Sequence, residues 1–126
     1  MTVFNAQHGL IIVRVTLSGP IGKRTIRLAL DTGASSTLVS KEILVAIGYN
    51  PDNLPKSVNF TTGSGVESAA RVEVDGLEAL GHSRTNFSVI AHTLPPTASI
   101  DGVLGLDFLR SHVLTVDFQK GAITLA

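Results

Sequence analysis

Apolar and polar residues alternate in short runs along most of the chain, and this most constrains what it can fold into. Ile11, Val13, Val15 and Leu17 fall on one side of an extended segment, with Arg14 and Thr16 on the other. Ile26, Leu28 and Leu30 repeat the pattern against Thr25 and Arg27. Ser18–Lys23, rich in Gly and Pro, turns one run into the other, so a hairpin is expected. Further strands are expected at 36–39, 58–62, 66–74, 85–91, 113–118 and 122–125, with turns at Gly63-Ser64-Gly65, Asp75-Gly76 and Gln119-Lys120-Gly121 and a loop at Pro95-Pro96. A helix fits Lys41–Ile47, with Ser40 as its cap, Glu42 in its first turn and Gly48 to end it. A helical turn or two fits Asp107–His112, with Asp107 as its cap. A single mostly-β domain over residues 1–126, with a closed or sandwich-like core and one or two short helices, follows.

The core must be aliphatic, because 44% of the 126 residues are hydrophobic but only 5% are aromatic. Ten basic residues balance ten acidic ones and are scattered along the chain, which argues against a nucleic-acid partner. The absence of cysteine excludes disulfides and thiolate catalysis. The four histidines, His8, His82, His92 and His112, lack metal-ligand spacing and read as surface or loop residues, so neither a metal nor another cofactor is expected. No segment reaches the roughly 18 apolar residues of a membrane span. The first residues do not resemble a signal peptide, and the default expectation is a soluble cytoplasmic protein.

One place combines order with chemistry. Leu28-Ala29-Leu30 ends a strand in Asp31, and Thr32-Gly33-Ala34 follows. A strand holds the next side chain firmly, and glycine permits a tight turn beside it. A turn aspartate bonding its own backbone is the bland alternative. Thr32 and Gly33, taken alone, are ordinary turn residues. The segment Ser35-Ser36-Thr37 lacks the Gly-x-Ser-x-Gly elbow of a serine nucleophile.

Three elements in order resemble the retropepsin-like aspartic proteases, single-domain relatives of pepsin. They are Leu30-Asp31-Thr32-Gly33-Ala34, the glycine-tipped Thr61-Thr62-Gly63-Ser64-Gly65-Val66, and Val103-Leu104-Gly105-Leu106 continuing into Asp107-Phe108-Leu109. The resemblance implies a closed acid-protease-like barrel and an aspartic endopeptidase acting on extended peptides. It implies that Asp31 is catalytic, that Thr32 braces the loop of a partner and that Gly33 offers its N–H near the carboxylates. Ala34, with Thr62, Gly63, Ser64 and Gly65 of the hairpin that serves the family as a flap, would contact substrate. Locally, that hairpin is indistinguishable from a plain surface hairpin, and Phe60 lies near its tip but on a strand.

Amide hydrolysis of this kind needs two carboxylates sharing a proton. Asp52, Asp75, Asp101, Asp107 and Asp117 each lack a following Thr-Gly or Ser-Gly. Asp52 and Asp75 read as loop and turn residues, Asp101 as turn chemistry, and Asp117 as outward-facing. A C2 homodimer supplies the second copy of Asp31, with the terminal segments Val3–Phe4 and Ile123–Leu125 as candidates for pairing between subunits. Pepsins usually carry serine where this chain has Ala34. Without that hydroxyl on the charged carboxylate, an optimum nearer weakly acid or neutral pH is expected. The rival readings are a peptide-binding module of the same fold that has lost catalysis, and a non-enzymatic oligomerisation domain.

Overall fold

In the computed structural model, residues 1–95 and 97–126 are described, with the backbone alone for Thr62. The strands are β1 (Thr2–Val3), β2 (Ile12–Gly19), β3 (Gly22–Leu30), β4 (Leu38–Ser40), β5 (Val58–Thr62), β6 (Gly65–Ala69), β7 (Arg71–Ala79), β8 (His82–His92), β9 (Gly102–Leu104), β10 (Leu114–Asp117) and β11 (Ala122–Leu125). Helix α1 spans Lys41–Ala46 and α2 spans Leu106–Leu109, with a 3-10 turn at Pro51–Asn53. Six strands close a barrel in the order β2-β3-β9-β4-β8-β7. The pair β5-β6 stands as a separate hairpin, and β1-β11-β10 forms a small terminal sheet. No helix among the described residues is long and apolar enough to cross a membrane.

The period-two pattern becomes the barrel interior. Val13, Val15 and Leu17 of β2 and Ile26 and Leu28 of β3 are buried, and they meet Val39, Val72, Val74, Leu77, Val89 and Leu104 from the other strands. Phe108 of α2 plugs the core and meets Phe87 edge-on, the ring centroids being 6.0 Å apart. Strands β2 and β3 pair antiparallel through the turn at Pro20-Ile21, as the turn residues predict. At that end Gly19 is required for close approach. A Cβ there would lie 2.9 Å from the Tyr49 ring and strike the Ile47 carbonyl. Helix α1 stops where Gly48 takes φ +107°.

Three local expectations are corrected. Asp75-Gly76 does not turn; β7 runs through it, with Gly76 opposite Ser18 and Thr85 in the two adjoining strands. The turn comes at Leu80-Gly81, both at positive φ (53° and 79°), in the two-residue β7–β8 connection. The expected strand over 66–74 is two strands divided at Ala70, because the chain there leaves its pairing with β5 and joins the barrel. Alternation continues across the break, so the pattern alone conceals it. Ser40 does not cap the helix N–H groups; its hydroxyl donates to Glu42 at 2.5 Å.

The terminal strands pair with one another within the chain. β11 occupies the middle of its sheet, paired with β1 through Thr2↔Ile123 and with β10 through Val116↔Ile123. Over Ala122–Ile123 both of its edges are taken within one chain, whereas on the β1 side the pairing reaches no further than Ile123.

Candidate active site

β9 inserts between β3 and β4, parallel to the first and antiparallel to the second. The loop 31–37 that joins β3 to β4 must therefore straddle the end of β9. Backbone hydrogen bonds tie the two together: Asp31 N–H donates to Leu104 O at 3.0 Å, and Leu106 N–H donates to Ala34 O at 2.8 Å. Gly105 lies under the loop. A Cβ at that position would be 2.8 Å from the carbonyl oxygens of both Ala34 and Ser36. Gly102 is equally constrained, since a Cβ would clash with the Leu38 carbonyl. The glycine of the apolar-apolar-Gly element is thus a packing requirement that lets two backbones touch.

A polar clamp around the buried Thr37 completes the attachment. Thr37 is fully buried, and both its groups reach Asp107: the N–H donates to Oδ2 at 2.9 Å and the hydroxyl to Oδ1 at 2.7 Å. Thr37 Oγ1 in turn accepts from Gly105 N–H at 3.1 Å. Asp107 was expected to cap α2. It lies instead within the first turn of α2, whose cap position is Gly105, and its carboxylate serves the loop. Asp101 also reaches across the fold, Oδ2 accepting from Arg27 N–H at 2.9 Å. Asp117 accepts from the N–H groups of Gln119 and Lys120 in the last hairpin, and Asp52 pairs with Lys41 at 2.6 Å.

The loop holds Asp31 half-buried at the end of β3, with Oδ1 accepting from Gly33 N–H at 2.9 Å. A Cβ on Gly33 would come within 3.2 Å of that oxygen. Thr32 and Gly33 are exposed beside it. A groove of about 610 Å³ opens over the carboxylate. Its floor is aliphatic, from Ala34, Leu38, Ile90 and Val103, and its hairpin side carries Asn59, Phe60 and Thr61. Gly63, Ser64 and Gly65 are exposed at the hairpin tip, outside the lining of this groove, with Gly65 at φ +119°. The expected contact from the Thr62 side chain lies outside the described residues.

Two groups at this site escaped the sequence reading. Thr37 carries no motif of its own, and its pairing with Asp107 spans 70 residues. His92, expected as a surface or loop residue, ends β8 and faces the groove, edge-on to the Phe60 ring at 5.0 Å. His82 is also held in the fold, its Nε2 lying 2.6 Å from the Leu125 carbonyl and its ring 4.5 Å from His112.

The fold has solved counterparts. A retropepsin-like aspartic protease from Rickettsia conorii superposes with a TM-score of 0.74 at 21% identity, over 98% of this chain and 86% of that one. EIAV protease complexed with the inhibitor HBY-793 gives 0.65 at 15%, over 86% and 92%. The retroviral protease-like domain of Ddi1 from Leishmania major gives 0.61 at 18%, over 94% and 90%. None of the curated proteins matches the sequence. The closed barrel, the braced Asp-Thr-Gly loop and the separate hairpin are thus a retropepsin-like arrangement. The family model for aspartyl protease matches residues 13–108, which includes all of these parts, and the chain belongs to the aspartyl protease family.

Proposed function

We propose that the chain is an aspartic endopeptidase active as a homodimer, with Asp31 of each protomer contributing half of the site. The observation that carries the reading is Asp31 itself, a single carboxylate fixed at the end of β3 and open to a peptide-sized groove. Asp101 and Asp107, the carboxylates of the neighbouring segment, are engaged in holding Arg27 and Thr37. The second acid must then come from a second copy, and the open edges of β1 and β10 are compatible with one.

In this reading the two Asp31 carboxyls share one proton and hold a water between them. The ionised carboxylate takes a proton from the water as its oxygen bonds to the scissile carbonyl carbon. The other carboxyl gives its proton to the carbonyl oxygen, forming a gem-diol. As the C–N bond breaks, the newly protonated carboxyl gives its proton to the departing nitrogen while the other carboxylate takes one hydroxyl proton of the gem-diol, leaving a carboxylic acid, an amine and the pair again with one proton. Hairpin β5–β6 acts as the flap over an extended substrate and excludes other water.

The test is cleavage of unfolded casein with sedimentation analysis on the same samples. Asp31→Asn should lower the rate by at least about a thousandfold while leaving the dimer intact. Equal rates for wild type and Asp31→Asn would overturn the protease reading. A monomer that cleaves at full rate would overturn the shared site.

A further inference from the structure

Hairpin β5–β6 projects from the barrel with Gly65–Ser68 exposed, so it has little core of its own. An isolated two-stranded hairpin is marginal in water, and its placement over the groove must come from contacts at its root. His92 supplies two. Its ring meets Phe60 edge-to-face, with centroids 5.0 Å apart and planes at 88°, and its Nε2 lies 3.7 Å from Glu67 Oε2. Phe60 and Glu67 are directly opposite each other in the β5–β6 register. Residues so paired present their side chains on one face. His92 therefore grips a single rung of the hairpin from the barrel side. The same imidazole borders the groove over Asp31 and, behind it, a second cavity of about 230 Å³ lined in part by Lys41, Asp52 and Lys56.

We propose that His92 is a positioning residue for the Asp31 site: it latches the Phe60–Glu67 rung to the end of β8 and so sets the height of the hairpin over the groove. This rests on the protease reading for its consequence in catalysis, but the latch itself is a property of the fold. His92 acts through Phe60, which roofs the aliphatic floor formed by Leu38, Ile90 and Val103. Losing the latch weakens ground-state and transition-state binding alike, which appears in KM rather than in kcat.

The test combines amide hydrogen exchange with casein kinetics. In His92→Ala, exchange over residues 58–69 should rise about tenfold while β2 and β3 stay protected, and KM should rise by a similar factor with kcat held within about threefold. His92→Phe keeps the edge-to-face contact and should restore most of both quantities; Glu67→Gln should change each only about twofold. Unchanged hairpin exchange in His92→Ala overturns the latch. Faster exchange without a rise in KM, or a fall confined to kcat, overturns the positioning role. The exchange measurement is repeated in Asp31→Asn, where no turnover occurs. An inactive wild type thus sinks the protease reading, while the hairpin amides still decide the latch.

Discussion

The loop that carries Asp31 and the hairpin that faces it are attached to the same barrel in opposite ways. Loop 31–37 is fastened from below by the buried Thr37, the half-buried Asp107 and the backbone around Gly105, in a network whose members each have partners. Hairpin β5–β6 is solvated along much of its length and meets the barrel through an aromatic edge and a 3.7 Å imidazole–carboxylate contact. A buried, satisfied network rigidifies, whereas exposed charge pairs contribute little. In the proposed protease, the group that must not move is held by the first kind of contact and the element that must admit a substrate by the second.

Removing the clamp is the strongest way to break this contrast. Asp107→Ala strands two donors of Thr37, a residue with no exposure, and each orphaned group costs about 1–3 kcal/mol. Urea unfolding should show a loss of about 2–4 kcal/mol, with activity lost as loop 31–37 loosens. Asp107→Asn keeps an oxygen acceptor and should lose less. Phe60→Ala on the half-buried hairpin face should cost under about 1 kcal/mol. Comparable losses from the two sites would erase the distinction between a fixed loop and a lightly held cover.

The fixed half was also the more legible in sequence. Alternation exposed β2 and β3, and Leu30-Asp31-Thr32-Gly33 located the carboxylate, because a strand end and a tight turn are encoded by adjacent residues. Gly105 was visible as part of a motif, although its reason, two carbonyls 2.8 Å from a would-be Cβ, is a contact between segments far apart in the chain. Thr37–Asp107 was invisible for the same reason. So was the central place of β11, since whether a terminal strand pairs within its own chain or across a dimer axis leaves no mark on its composition. His92 was misread because a lone histidine at a strand end has no local signature; only the fold brings Phe60 and Glu67 to it.

A subtler change tests the electrostatics of the fixed half. Ala34 lines the groove with its carbonyl held by Leu106. Serine fits there with little change in volume. A hydroxyl donating to the charged carboxylate favours the ionised form. The acid limb of the pH–rate profile of Ala34→Ser should therefore move to lower pH by about half a unit or more, with stability nearly unchanged. An unmoved limb would mean that the hydroxyl does not reach Asp31. A limb displaced upward would contradict the assignment of the ionised carboxylate as the base.

The smallest effect belongs to a part of the barrel remote from both regions, and it calibrates them. Tyr49 follows α1, accepts from Asp75 N–H at 2.8 Å and packs against the β2–β3 turn at Gly19. Burial, with the charges of Asp75 and Glu73 adding to it, raises its hydroxyl above the ordinary value of 10.0, against the opposing pull of the Asp75 backbone bond. A raised folded value means that the stability due to this group is complete below about pH 10 and declines above it, because the unfolded chain ionises first. Tyr49→Phe should cost up to about 1 kcal/mol at neutral pH, since the exposed Asp75 can turn its N–H to water. Above pH 10 the variant should lack the tyrosine's share of the alkaline decline, so the two stability curves converge. Hairpin exchange and the activity profile should be those of the wild type throughout. A Tyr49→Phe that loosened residues 58–69 would show that the hairpin is coupled to the barrel through its strands as well as through its root.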